Sequence, residues 1–209
     1  MLIALAKLPA AAARLHQDHF NFLKLLNILR HQQRLLAAGT PVNWDIERGV
    51  VSFYRRYIEK FHHRLEDVIY ETLKKRDSAA AAQVEEIHRE HKDCSQLLQS
   101  FEGALNLISG SKPMARKSAE HRTEIYDQKL YDYYCFQLDE FVSRERRHMS
   151  DEEALLGLAV EHLSADDWHL ISRELAEGND ELFGEKPVAR FDRLREAIFA
   201  ADRRPIASG

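Results

Sequence analysis

The sequence predicts an all-α fold, an antiparallel up-down bundle of four long helices followed by a short helical extension at the C-terminus. Three observations predict it. Only 8 glycines and 5 prolines occur in 209 residues, and several fall between long segments rather than inside them. Within those segments apolar residues recur at the three- and four-residue spacing of a helix face, without the alternation of a strand. Finally, 44% of the residues are hydrophobic, enough for one domain of this length to bury a core without disulfides or other staples.

The first helix is predicted from about Pro9, well placed at a helix start, to about Ala38, where Gly39 and Pro41 stop it. Its apolar face includes Leu15, His19, Phe22, Leu26 and Leu29. The second begins near Asn43 or Asp45 and runs to about Arg76, with Ile58, His62, Leu65, Glu66, Ile69 and Leu73 on one face. Ser78 is a candidate cap for the third, which presents Val84, Ile87, His91, Leu98 and Leu105 before Ser109, Gly110, Ser111 and Pro113 end it. A fourth passes through Leu138, Phe141, His148, Glu152 and Leu155. Ser164 with Asp167 resembles a capping box, aspartate replacing the usual glutamate, and opens a short helix that Gly178 closes. A last amphipathic segment, about Val188 to Phe199, packs Phe191, Leu194 and Ile198 on the outside of the bundle. Residues 1–162 thus form the bundle and 163–209 the extension.

Charge and composition exclude several classes. The formal charge of -4 arises from 34 acidic and 30 basic residues spread along the chain, so no basic stripe offers a nucleic-acid surface. Cys94 and Cys135 have no paired spacing, which suggests neither a disulfide framework nor a thiolate metal site and fits a reducing cytoplasm. The apolar N-terminal run is interrupted by Lys7 and Pro9 and has no basic residue before it, so it reads as a lead-in to the first helix rather than a signal. No stretch approaches the ~20 apolar residues that span a bilayer.

The chemistry lies in histidines and glutamates on the apolar faces. Side chains four apart on a helix project towards one point, and two such pairs occur, His62 with Glu66 and His148 with Glu152. Each combines a nitrogen ligand with a carboxylate, which can bridge two cations that would otherwise repel. His19 and His91 are single histidines on the other two faces. With ~1.5 Å of rise per residue and helices running alternately up and down, His19, His62 and His91 all fall ~14–15 Å from one end. His148 joins that level only if the fourth helix enters the bundle near residue 128, so residues 111–127 project beyond the bundle or form a lid. Four histidines and two glutamates can hold two metal ions.

A ferritin-like site is a second reading, because Glu85 with His88 and Glu145 with His148 have the Glu-x-x-His spacing. The first helix contains no glutamate, however, and Asp18 is its sole carboxylate. The runs LHQDHFNFLKLL, FHHRLEDVIYETL, EEIHREHKDCSQLL and RRHMSDEEALLGLA, over about residues 15–160 and in that order, resemble the haemerythrin-like, HHE cation-binding family. The tail SADDWHLISRELAEGNDELFG is similar to an extension of many bacterial members.

The resemblance implies an oxo- or hydroxo-bridged centre of two iron ions held by His19, His62, Glu66, His91, His148 and Glu152, with Glu66 and Glu152 as bridges. Oxygen carriers of the family have a further histidine four residues before the third-helix ligand, where this chain has Ile87. His88 or His63 could substitute as a ligand or supporting group, and Glu153 competes with Glu152. His16, Asp18, His31, His121, His162 and His169 read as surface or supporting residues, and Tyr54, Tyr57, Tyr131, Tyr133 and Tyr134 as packing.

For members that sense or respond to stress, the resemblance implies a protein that binds or responds to O2, NO or iron. The alternatives are a di-iron oxidoreductase acting on NO or peroxide, an iron donor to damaged centres, and an interaction bundle with a structural metal.

Overall fold

The computed structural model describes residues 8–112, 114–117, 122–174 and 191–202. The N-terminal lead-in, His121, Gly178 and the start of the segment at Val188 lie outside them. Helix α1 (Ala10–Ala37) starts after Pro9, whose carbonyl accepts the Ala13 N–H. It ends at Gly39, where φ is 67°, a left-handed conformation that glycine adopts at no steric cost. The Gly39 and Thr40 amides donate to Leu36 and Leu35 and satisfy the last carbonyls of the helix.

The predicted second helix is one rod with three windings. It comprises α2 (Trp44–Phe53), a π-helical stretch (Tyr54–His62) and α3 (His63–Arg76). Asn43 caps the rod by accepting the Asp45 N–H. A 3-10 turn over Ser78–Ala80 leads into α4 (Ala81–Gly110). Its cap is Asp77 rather than Ser78. The tight turn already begins at Ser78, so the last residue with extended backbone is Asp77, whose carboxylate accepts the Ala79 N–H.

Helix α5 (Gln128–His162) is capped by Asp127, which accepts the Leu130 N–H. The described residues are predominantly helical, as the sequence predicts, with one short ribbon between α4 and α5 that the sequence did not signal. Strands β1 (Met114–Lys117) and β2 (Arg122–Ile125) pair antiparallel, with Met114 opposite Ile125 and Lys117 opposite Arg122. This ribbon occupies the stretch expected to project or form a lid, and its backbone groups bond across the pair instead of along a helix. In α6 (Ala165–Glu174) the Ser164–Asp167 box is formed: Asp167 accepts the Ser164 N–H and Ser164 Oγ accepts the Asp167 N–H. Before α7 (Asp192–Asp202), Phe191 meets Phe53 edge-on at 5.8 Å.

The core has two apolar ends and a polar middle. One end gathers Phe22, Leu25, Tyr54, Phe101, Phe141 and, from the tail, Phe191, Leu194 and Ile198. The other gathers Leu15, Ile69, Tyr70, Ile87, Leu155 and, from α6, Trp168 and Ile171. Each fully buried large side chain contributes roughly 1.5–3 kcal/mol from removal of apolar area from water. Between the two ends lie buried Asp18, His19, His62, Glu66, Glu90, Glu145, His148 and Glu152. Side-chain pairs run along the rods, among them His16–Glu153, Asn27–Arg146 and Arg30–Asp139 between α1 and α5. Cys94 and Cys135 are free thiols. Among the described residues no helix is long and apolar enough to cross a membrane.

Candidate metal centre

The polar middle assembles because each rod carries its ligand-type residue on the stripe that faces the core. His19 lies between Leu15 and Phe22 on α1, and His148 and Glu152 lie between Phe141 and Leu155 on α5. The six residues expected from sequence come together. His19 Nε2 is 3.1 Å from His62 Nε2 and 3.2 Å from Glu66 Oε1. On the other side, Glu152 Oε1 lies 2.7 Å from His148 Nε2 and 3.1 Å from His91 Nε2.

Two donor groups result, each with its atoms within 4.8 Å of one another: His19, His62, Glu66 and Glu152, and His63, His91, His148 and Glu152. Glu66 also spans both, its Oε2 lying 3.4 Å from His91 Nε2, and Glu152 Oε2 reaches His19 Nε2 at 3.3 Å.

The alternates named from sequence are placed differently from one another. Glu153 faces the back of the centre, its carboxylate accepting from His19 Nδ1 at 2.7 Å and from His16 Nδ1 at 2.9 Å. His88 stands further out, 3.2 Å from Asp67 and grouped with Glu71 and Glu85, where Lys74 bonds Glu85. His63 stacks on His91 with ring centroids 4.0 Å apart and 13° between planes.

A shell of acceptors holds the imidazoles from behind. Asp18 Oδ2 accepts from His62 Nδ1 at 3.1 Å and from the Tyr57 hydroxyl at 2.9 Å. Glu90 Oε2 accepts from His148 Nδ1 at 2.9 Å, and Asp67 lies 3.6 Å from His91 Nδ1. With Glu153 on His19, three of these rings, His19, His62 and His148, have a carboxylate hydrogen-bonded to Nδ1 and their Nε2 turned inwards, an arrangement that fixes ring orientation and raises ligand basicity, while Asp67 stands at ionic distance from His91. Sequence reasoning left Asp18 as a surface or supporting residue and overlooked Glu90. The signal was present, since Asp18 and Glu90 both fall on buried stripes, beside Leu15 and Phe22 and beside Ile87 and Cys94. Asp18→Ala is expected to lower metal affinity by about 10–100-fold, measured by titration against a competing chelator.

Burial favours neutral imidazoles and protonated carboxylates, but proximity decides the balance. For His91 the burial is outweighed by hydrogen bonds to Glu152 and Glu66, which push its pKa up to about 10. For His148 it is outweighed by the Glu152 charge and hydrogen bond, which push it up to about 9. His19 is likewise raised well above the usual imidazole range by Glu152, Glu153 and Glu66, and His62 is raised by Glu66 and Asp18. Glu66 resists burial because His62, His19 and His91 surround it, and it is held well below the usual carboxylate range. Burial and the Glu66 charge push Glu152 upwards, yet His148 and His19 hold it low. Burial and the neighbouring His91 drive His63 down to about 3.

This charged cluster fits a metal centre. Glu66 Oε2 and His148 Nε2 are buried and meet ionic neighbours inside the cluster, His91 Nε2 at 3.4 Å and Glu152 Oε1 at 2.7 Å, so their charge and lone pairs are turned towards the centre and away from water. Two facing nitrogens at 3.1 Å, His19 Nε2 and His62 Nε2, suit two donors to one cation better than two N–H groups opposed. A set of imidazoles and carboxylates without thiolate matches iron, zinc or manganese. No curated protein and no solved structure matches the chain. The family model for the Hemerythrin HHE cation binding domain matches residues 10–160, the stretch that contains every residue of both donor groups, and the chain belongs to that family.

Proposed function

We propose that the protein is a non-haem di-iron protein, with His19, His62, Glu66, His91, His148 and Glu152 holding two iron ions, and that it binds or responds to O2, NO or iron itself. The observation that carries the reading is that Glu66 and Glu152 each reach both histidine groups, as carboxylates shared by two cations must. Iron in such a site supplies a change of oxidation state and an open coordination position for a small ligand.

The chain's own residues set the conditions for that chemistry. Glu66 and Glu152 offset the charge of two cations, while Asp18, Glu90 and Glu153 keep the Nε2 atoms directed inwards. Phe22, with its ring 4.7 Å from His62, and the apolar ends of the core exclude bulk water. With Glu66 0% and Glu152 1% exposed, only a small molecule reaches the centre without opening the bundle, which favours O2, NO or peroxide over a large substrate.

The reading includes an antiparallel up-down bundle over 1–162 and a separate C-terminal extension over 163–209. It is supported by pairs whose numbers rise on one rod as they fall on the other, such as His16–Glu153 and Arg30–Asp139, or Arg55–Glu102 and Asp67–His88.

Purification without chelator, with metal analysis and absorption spectra before and after reduction, tests the proposal. The expected result is two irons per chain and a spectrum that responds to O2 or NO. One iron or none in a well-folded chain sinks the di-iron reading, and sustained consumption of NO or peroxide would favour an oxidoreductase instead.

A further inference from the structure

We infer that His63 is the third imidazole ligand of the ion on the His91 and His148 side, so that the two ions of the proposed centre have unequal imidazole sets. This rests on the di-iron reading above. On the first side two imidazoles, His19 and His62, converge with Glu66 and Glu152. On the second, His63 supplies a nitrogen within 4.8 Å of the donor atoms of His91, His148 and Glu152. Its ring stacks on that of His91 at 4.0 Å and lies edge-on to His148 at 6.1 Å, so rings from three rods adjoin there; because an imidazole nitrogen donates in the plane of its ring, joint ligation turns the His63 ring out of the stack about its Cβ–Cγ bond.

The winding of the second rod explains how two neighbouring residues serve two ions. In an α-helix, residues three and four before a given position flank the same face, and His63 and His62 hold those places relative to Glu66. The π-helical stretch ends between them, with the His63 N–H donating to Ile58 O, five residues back. The wider turn brings successive side chains closer together around the helix axis, so that His62 joins His19 while His63 stacks on His91. On α4 the position one turn before His91 is Ile87, a hydrocarbon in the apolar end of the core. The third nitrogen on this side therefore comes from the second rod.

Iron titration and Mössbauer spectra of wild type, His63→Ala and His88→Ala test the assignment. Wild type is expected to bind two irons with two distinct quadrupole doublets. His63→Ala should keep its helical circular dichroism, retain one iron and bind the second at least about 100-fold more weakly, the upper end of losses for supporting groups. His88→Ala should match wild type. In His63→Gly, free imidazole should restore the second iron.

If the variants fail to fold, the reduced wild-type protein labelled with 15N-histidine gives the answer by itself. Five hyperfine-shifted exchangeable imidazole N–H signals are expected, from His19, His62, His63, His91 and His148. Four such signals, or a His63→Ala protein with wild-type affinity for both irons and unchanged doublets, overturn the assignment while leaving the di-iron reading intact. Fewer than two irons in wild type overturns both.

Discussion

Glu66→Ala is expected to reduce bound iron to less than about a tenth of the wild-type level, a loss at least as large as that for removal of a group supporting a ligand. Glu66 is fully buried and serves both histidine groups, so its removal weakens both ion positions at once. The metal-free protein should suffer as well. His19, His62 and His91 lose a buried counter-charge, and truncating one partner of a buried ion pair typically costs about 3–5 kcal/mol. Metal analysis of the purified variant and denaturant melts of its metal-free form would give the two numbers. His62→Ala should lose iron similarly, whereas His169→Ala, at an exposed position on α6, should not. Equal iron in all three would refute the assignment.

The second large effect is on the response to pH. In the metal-free chain, folding raises the His91 pKa to about 10 and that of His148 to about 9. Stability from these raised groups is fully present below their unfolded value of about 6.5 and is lost as pH rises through 9 and 10. Glu66 and Glu152 are depressed, so their contribution is present above the usual carboxylate range and is lost as pH falls below it. Together these four groups contribute most to the metal-free protein near pH 5–6.5 and less in both directions, whereas His63, held down to about 3, adds stability as pH rises towards 6.5.

Iron changes the sign of the alkaline limb. At pH 7 the His91 and His148 imidazoles carry protons that a metal must displace, so loading should release about two protons or more per chain and strengthen as pH rises. Proton release can be read with an indicator dye in weakly buffered solution. Loading without proton release would contradict the imidazolium–carboxylate cluster.

The rods were legible in the sequence because their punctuation and their apolar stripes agree. Pro9 and Gly39 bound α1, and rise per residue alone required the fourth rod to enter near residue 128, where α5 begins with Gln128. The same stripes bring His19, His62, His91 and His148 to one level. Three features were less legible, each for a physical reason. A period of 3.6 has no place for hydrogen bonds that reach five residues back, so His63 could be named from sequence only as a substitute ligand or supporting group beside His62. Asp18 and Glu90 are charged, and charged residues usually face water unless paired; their partners, His62 and His148, lie on other rods. The β1–β2 ribbon is four residues per arm, too short for an alternating pattern to emerge from a helical chain.

The division of the core into two apolar ends has a consequence for how the chain can change. Each end clasps all the rods on its own side of the polar middle, so the gap between them is set by hydrocarbon contacts rather than by what fills it. The frame around the receptacle is thus held by contacts in which the cargo takes no part. Swaps such as Leu26→Val or Leu155→Ile in the two ends can therefore alter tolerance to heat without touching the ring of imidazoles and carboxylates, whereas changes inside that ring, as with Glu66, alter avidity for metal and stability together.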